Sequence, residues 1–173
     1  SGTGDVTAPA YAFAAGTTRT VTTNTVGTGI RPQSRIDSKT LGVKEDAADE
    51  WKSQMEKIWE KWTAHADAGN RMDFYELQRL ADRQMLESGE ALFLVTMVKE
   101  PGRPYYLCLD PIEPDRLDTP PGENKKKVRK GVEIGMRGEP VAYWIKKTHP
   151  GDYSYSQAPS KDDYERIEAR NEY

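Results

Sequence analysis

Four carboxylates fall within nine residues near the middle of the chain. They are Asp110, Glu113, Asp115 and Asp118. Paired carboxylates can serve in acid–base catalysis or bind a divalent cation, so the segment is a candidate site for a metal-dependent hydrolase. Pro111 and Pro114 instead favour a rigid turn at the end of a strand, with the carboxylates accepting backbone N–H groups. We favour the turn, because His65 and His149 lie too far away in the sequence to supply an obvious base.

A run of basic residues offers a different chemistry. It comprises Lys125, Lys126, Lys127, Arg129 and Lys130. Such a run could contact phosphate groups, or it could be a solvated loop in which like charges discourage compact structure. The formal net charge of −3 makes this local patch distinct from the rest of the chain, and both interpretations stay open.

Two further motifs are weaker signals of chemistry. Gly27 and Gly29 invite a phosphate-loop interpretation, but Pro32 stands where a helix would have to begin, so we predict a tight turn leading into an extended segment. Cys108 is the only cysteine and has no metal-ligand partner at a suitable spacing, which predicts a buried structural thiol. The sequence predicts no metal site, no cofactor and no enzymatic activity.

The composition limits the class of protein. Hydrophobic residues make up 36% of the 173 and charged residues 31%, so the chain is more polar than an average globular domain. No apolar run approaches the roughly 20 residues that span a bilayer, and no signal-peptide pattern opens the chain. A single cysteine excludes an internal disulfide. We therefore expect a chain of the intracellular type.

Helical periodicity positions the candidate core. Residues 44–66 repeat apolar side chains at steps of three and four, and a tryptophan stripe of this kind is either a stacking platform or core. We favour core, because buried aromatic rings dominate packing. Asp73 and Glu76 predict a capping box for a second helix that ends at Gly89. The predicted core residues are Trp51, Trp59, Trp62, Leu77, Phe93 and Tyr143.

Strand patterns complete the fold. Residues 91–98 form an apolar run that predicts the central strand of a sheet, with 105–109 as its hairpin partner. Residues 131–136 and 141–146 predict a second hairpin, and 164–169 a last strand. The predicted class is α+β, with amphipathic helices on a small, mostly antiparallel sheet. Residues 1–25 predict an irregular arm, flexible or ordered by a partner, and 26–173 one domain.

Several segments, in this order, resemble one known family. They are Val26-Gly27-Thr28-Gly29-Ile30-Arg31-Pro32-Gln33, Trp59-Glu60-Lys61-Trp62, Asp73-Phe74-Tyr75-Glu76-Leu77-Gln78, Met85-Leu86-Glu87-Ser88-Gly89-Glu90-Ala91-Leu92, Ile112-Glu113-Pro114-Asp115-Arg116-Leu117, Gly131-Val132-Glu133 and Gly138-Glu139-Pro140-Val141-Ala142-Tyr143. Their order and spacing over residues 24–173 resemble the N-terminal half of a tailed-phage portal protein of the lambda type.

The resemblance implies a function in virus assembly. It implies a wing-like portion of a subunit, truncated before the stem and clip, in a ring usually of twelve copies at the head–tail connector vertex of the capsid. Such a ring passes double-stranded DNA during genome packaging and ejection. It docks the terminase large subunit and joins head-completion and tail proteins. The implied location is the virion, after assembly in the host cytoplasm, without a membrane.

Overall fold

The computed structural model describes residues 7–123, 127–152 and 159–169. The chain divides into two compact units, residues 1–111 and residues 112–173. The sequence predicted one domain over 26–173, preceded by an arm over 1–25. The first unit contains all four helices of the described chain and most of the β1–β2 hairpin, and the second unit contains a four-stranded sheet. The predicted α+β class is confirmed.

The N-terminal segment is helical, so the prediction of an irregular arm is wrong for its described part. Helix α1 covers Thr7–Val26. The Thr20 and Thr23 hydroxyls donate to carbonyl oxygens one turn back, at 3.0 and 2.8 Å, and so do not compete with the helix. The helix packs along α4, and Thr22 is 8% exposed. Tertiary packing of this kind outweighs the weak helix propensity of threonine.

The remaining helices follow local signals in the sequence. Helix α2 covers Ser38–Leu41, α3 covers Glu45–Thr63 and α4 covers Phe74–Ser88. The predicted capping box is present: the Asp73 carboxylate accepts from the Glu76 N–H at 2.7 Å, and the Glu76 carboxylate accepts from the Asp73 N–H at 2.9 Å. Gly89 ends α4 in the left-handed conformation, with φ of 79°.

In the first unit, strand β1 covers Leu92–Met97 and pairs with β2, which covers Leu107–Ile112. The hairpin is as predicted, but β1 is not the central strand of a sheet. Within the described residues it pairs with β2 alone, and Val95 and Met97 are 69% and 63% exposed. An apolar run is compatible with burial of both faces of a strand. It does not show that other elements of the same chain pack against those faces.

The second unit is an antiparallel sheet in the order β3-β4-β5-β6. Its strands are Val128–Arg129, Val132–Ile134, Pro140–Lys146 and Tyr164–Glu168, so the predicted second hairpin and last strand are confirmed. Lys130 and Gly131 join β3 to β4 with φ of 47° and 80°, the two positive values that a two-residue hairpin turn of type I′ requires. A side chain at Gly131 would also meet the Asp118 nitrogen at 2.6 Å.

The core of the second unit is aromatic. Val128, Trp144 and Tyr164 pack together and are buried, at 2%, 7% and 6% exposure. The sequence had predicted the neighbouring Tyr143, which is only half-buried. Successive residues of a strand point to opposite faces, and Ile145, on the same face as Tyr143, is 2% exposed. Both faces of β5 are therefore partly covered, and burial along the strand does not simply alternate.

Candidate assembly surface

The tryptophan helix is packed at its C-terminal end. Trp59, Trp62 and Phe74 stand with ring centroids 5.0–5.1 Å apart, in tilted and edge-on arrangements that aromatic pairs favour. The Trp62 indole N–H donates to the Leu107 carbonyl at 2.8 Å. Half-buried Trp59 and Trp62 thus join α3 to α4 and β2. Of the other predicted core residues in this unit, Leu77 is buried at 2% exposure and Phe93 is half-buried.

The N-terminal part of the same stripe is uncovered. Trp51 is 49% exposed, Met55 56% and Ile58 40%, so Trp51 is not a core residue. The helical repeat correctly placed these side chains on one face. It did not show how far along α3 a packing partner extends. We call Trp51, Met55 and Ile58 the α3 apolar face.

An apolar groove of about 480 Å³ adjoins this face. Met55, Ile58, Trp59 and Trp62 line it from α3, and Tyr105 and Leu107 line it from the hairpin. Leu107 is itself 43% exposed. The wall opposite consists of residues 32–34, the extended segment that follows the glycine turn.

The glycine turn holds that wall in place. Gly29 has φ of 84°, and a β-carbon there would stand 2.2 Å from the Tyr75 ring, so no other residue fits without displacing that ring. The next residue, Ile30, donates its backbone N–H to Gln78 Oε1 at 2.9 Å. The predicted turn into an extended segment is confirmed, and its contacts anchor the segment on α4.

Two buried charged residues brace the first unit, and the sequence analysis missed both. The Asp67 carboxylate is fully buried and accepts backbone N–H groups from Gly69, Arg71 and Met72 at 2.8–3.3 Å. The guanidinium of Arg103 donates to three backbone carbonyl oxygens, to the thiol sulfur and to one carboxylate. These acceptors belong to His65, Asp67, Ala68, Cys108 and Glu100.

These contacts join a loop to a strand. Ala66 and Ala68 bond in turn to both backbone groups of Leu109, at 2.7 and 2.9 Å. The sequence carried a partial signal for Asp67, since the segment Asp67-Ala68-Gly69-Asn70 is rich in turn residues and an Asp side chain often caps such a turn. It carried none for Arg103, which stands between Gly102 and Pro104 and resembles an ordinary turn residue. Cys108 is fully buried within this network, as predicted.

The candidate catalytic carboxylates lie in different surroundings. Glu113 and Asp115 are exposed, and the described part of the chain contains no group of three or more His, Cys, Asp or Glu side chains placed to hold a metal ion. Arg116, which stands between Asp115 and Asp118 in the sequence, donates to the Lys146 carbonyl oxygen at 2.8 Å. Asp110 is half-buried at the end of β2.

Asp118 takes part in an ion pair. Its carboxylate accepts from Lys146 Nζ at 2.7 Å and from the Thr119 N–H at 2.8 Å. Burial raises the pKa of Asp118, but the Lys146 ammonium and the Thr119 N–H outweigh that effect and hold the pKa below its ordinary value. Glu133 is similar: the hydrogen bond from Arg166 lowers the pKa of its carboxyl. Both carboxylates are thus committed to ion pairs within the second unit.

The basic run is only partly described. Lys125 and Lys126 lie outside the described residues. Lys127, Arg129 and Lys130 are exposed around β3 and its turn. They place three cations at one edge of the second unit's sheet, where a partner or a nucleic acid could reach them.

The comparisons with known proteins identify the family. A sequence model of the family described as "Phage portal protein, lambda family" matches residues 11–172. The chain belongs to this family. A protein described as "Probable portal protein", from Halomonas phage phiHAP-1 (isolate -/Gulf of Mexico/-/2001), is 31% identical over an alignment of 137 residues, and the match covers 76% of this chain. The chain spans 26% of that relative's length.

Membership of the portal family confirms the resemblance seen in the sequence and gives the surface a context. The portal family is a family of structural proteins of the phage. None of the helices described here is both long and apolar enough to cross a membrane. The exposed α3 apolar face and the groove beside it are therefore the candidate site of this portal chain: a surface for contact with another protein.

Proposed function

We propose that this chain is the wing-like portion of a portal subunit, and that the complete protein forms a closed ring, of about twelve copies in this family, at one vertex of the phage capsid. Double-stranded DNA passes through the ring during packaging and ejection. The terminase large subunit docks on the ring before head-completion and tail proteins join it. The ring assembles in the host cytoplasm and remains in the virion, without a cofactor and without catalysis by this chain.

The observation that carries the proposal beyond family membership is the uncovered α3 apolar face. Trp51, Met55 and Ile58 expose a contiguous apolar stripe on a helix whose other end is well packed. Soluble monomers rarely expose large apolar patches, whereas subunit interfaces bury them. A head-to-tail contact, in which this face meets a different surface of the next copy, generates a ring when the rotation between copies closes.

The experiment measures the assembly state of the full-length protein. The parent protein should give closed rings by negative-stain electron microscopy and a matching mass by light scattering. Met55→Glu places a charge in the proposed interface and should convert rings to smaller species. Met136→Glu is the matched control, because Met136 is fully exposed in a turn of the second unit, and it should leave the rings intact.

Two results would contradict the proposal at different levels. A full-length protein that stays monomeric at high concentration would refute the ring. Rings that form equally well with Met55→Glu would leave the ring standing and remove the α3 apolar face from its interface.

A second candidate function is nucleic-acid binding through the basic run. The exposure of Lys127, Arg129 and Lys130 at one edge of the sheet favours it. Binding of this kind would weaken steeply with salt, and each lost phosphate contact would reduce the slope of log K against log salt by about 1. An affinity for duplex DNA that does not depend on these three residues would exclude it. A metal-dependent hydrolase remains the weakest alternative, since its carboxylates Glu113 and Asp115 are dispersed on the surface.

A further inference from the structure

A second cleft, separate from the apolar groove, lies between α1 and α4 in the first unit. Its volume is about 760 Å³, and three arginines line it: Arg19 from α1, and Arg79 and Arg83 from α4. All three side chains are exposed. No ion pair within 4.0 Å joins any of them to a carboxylate of the described residues.

The absence of ion pairs is unusual for arginines at these positions. Arg79 and Arg83 stand one turn apart on α4, where like charges destabilise a helix. Glu87, which also lines the cleft, stands one turn beyond Arg83 without forming an ion pair with it. The other acidic lining residue, Glu76, is committed to the capping box, where its carboxylate accepts from the Asp73 N–H. The three guanidinium groups thus keep their hydrogen-bond donors available.

The cleft also contains a buried hydroxyl without a partner. Thr22 lines the cleft and is 8% exposed, and its hydroxyl oxygen makes no hydrogen bond with any part of the chain that the structure describes. Thr20 and Thr23, on the same helix, satisfy their hydroxyls on carbonyl oxygens one turn back. A buried polar atom without a partner costs stability unless something in the cleft bonds to it.

We propose that the α1–α4 cleft binds an oxyanion of the phosphate class. Arginine suits this ligand because its planar, permanently charged guanidinium can donate two parallel hydrogen bonds to phosphate oxygens. Arg79 and Arg83 approach the anion from one helix and Arg19 from the other, and the Thr22 hydroxyl adds a donor on the wall formed by α1. The anion relieves the repulsion between the arginines. The phosphate is either free or part of a phosphodiester backbone, and the two sources share this chemistry.

The test uses the full-length protein and two probes, inorganic phosphate in calorimetric titration and a short DNA duplex in fluorescence anisotropy. The double variant Arg79→Gln with Arg83→Gln should weaken binding of at least one probe by tenfold or more, since hydrogen bonds to charged groups are the strong ones. Arg35→Gln with Lys39→Gln is the matched control: it also removes two positive charges, from exposed positions of the same unit outside the cleft, and should change affinity by less than about twofold.

Thr22→Val separates a built site from general charge attraction. The change keeps the shape and the net charge, so a loss of roughly twofold to tenfold in affinity for the same probe would report the hydroxyl's hydrogen bond. Weakened phosphate binding identifies free phosphate as a ligand, and weakened duplex binding alone identifies the phosphodiester backbone. The proposal is overturned if neither probe responds to Arg79→Gln with Arg83→Gln, if Arg35→Gln with Lys39→Gln produces an equal loss, or if Thr22→Val has no effect. None of these results depends on whether rings form.

Discussion

The two units of this chain distribute polar and apolar groups in opposite ways. Residues 1–111 bury charged side chains, Asp67 and Arg103, and they contain most of the large apolar residues that are exposed in the described part of the chain, among them Trp51 and Met55. Residues 112–173 bury an aromatic core around Trp144 and keep their ion pairs at the sheet surface. Among the described residues, the second unit therefore leaves two large apolar side chains exposed, Met136 and Val141, whereas the first leaves twelve.

This difference indicates how the chain is used. A unit that braces its loops with buried hydrogen bonds can hold a fixed shape while leaving an apolar surface uncovered. A unit that encloses its aromatic residues contributes little apolar surface to association. We therefore expect the first unit to provide the contacts between subunits, whereas the second contributes mainly charged and polar surface.

The largest expected effect tests the aromatic core against the exposed tryptophan. Trp144→Ala should lower the free energy of unfolding by about 3–5 kcal/mol, the range for truncating a buried large aromatic residue. Trp51→Ala, the same change at a 49% exposed site, should cost less than about 1 kcal/mol in the unassembled protein. Urea unfolding measures both values. Equal losses at the two sites would abolish the distinction between the units.

The second prediction concerns the buried charges of the first unit. Arg103→Met should lower the free energy of unfolding by about 3 kcal/mol, because the carbonyl oxygens of His65, Asp67 and Ala68 would lose their donor. The exposed Arg35→Met is the control and should stay within about 0.5 kcal/mol.

Hydrogen exchange shows where the Arg103→Met loss acts. The Leu109 amide, which bonds to the Ala66 carbonyl at 2.7 Å, should exchange faster in this variant. The Trp144 amide, in the second unit, should keep its protection. Unchanged exchange at Leu109 would show that the arginine does not hold the loop to the strand.

Local signals predicted much of the fold from the sequence. The capping box at Asp73 and the hairpin turn at Gly138 each depend on residues close together in the chain, and both elements formed as expected. The tryptophan stripe predicted helix α3, but it did not show which turns of that helix pack against other elements. Periodicity reports which side chains share a face, whereas burial depends on elements that are distant in sequence.

The missed features depend on tertiary contacts. Helix α1 is stabilised by packing on α4, which a count of threonines could not show. Arg103 acts through carbonyl groups 35 to 38 residues away, and no pattern around Gly102 and Pro104 marks it. The candidate sites also depend on tertiary contacts. The sequence predicted the carboxylates and the basic run as candidates, whereas the α3 apolar face and the α1–α4 cleft are visible only in the structure.

The smallest expected effect is the pH dependence of the second unit, which tests whether its surface ion pairs add to the aromatic core. The pKa of Asp118 is held below its ordinary value of 3.8 in the folded protein, so on acidification the unfolded state takes up the proton first. The stabilisation is fully present above about pH 5 and is lost as the pH falls through the folded pKa. Asp118→Asn removes this contribution, and its free energy of unfolding should fall less steeply than the parent's between pH 5 and pH 3. The difference should be about 0.2–1 kcal/mol, because the carboxylate is 46% exposed and solvent screens the pair.

Lys146→Met removes the other partner of the same ion pair. Its free energy of unfolding should likewise fall less steeply than the parent's between pH 5 and pH 3. Parallel acid limbs in the parent and both variants would show that the pair adds nothing, and that the aromatic core alone distinguishes the second unit from the first.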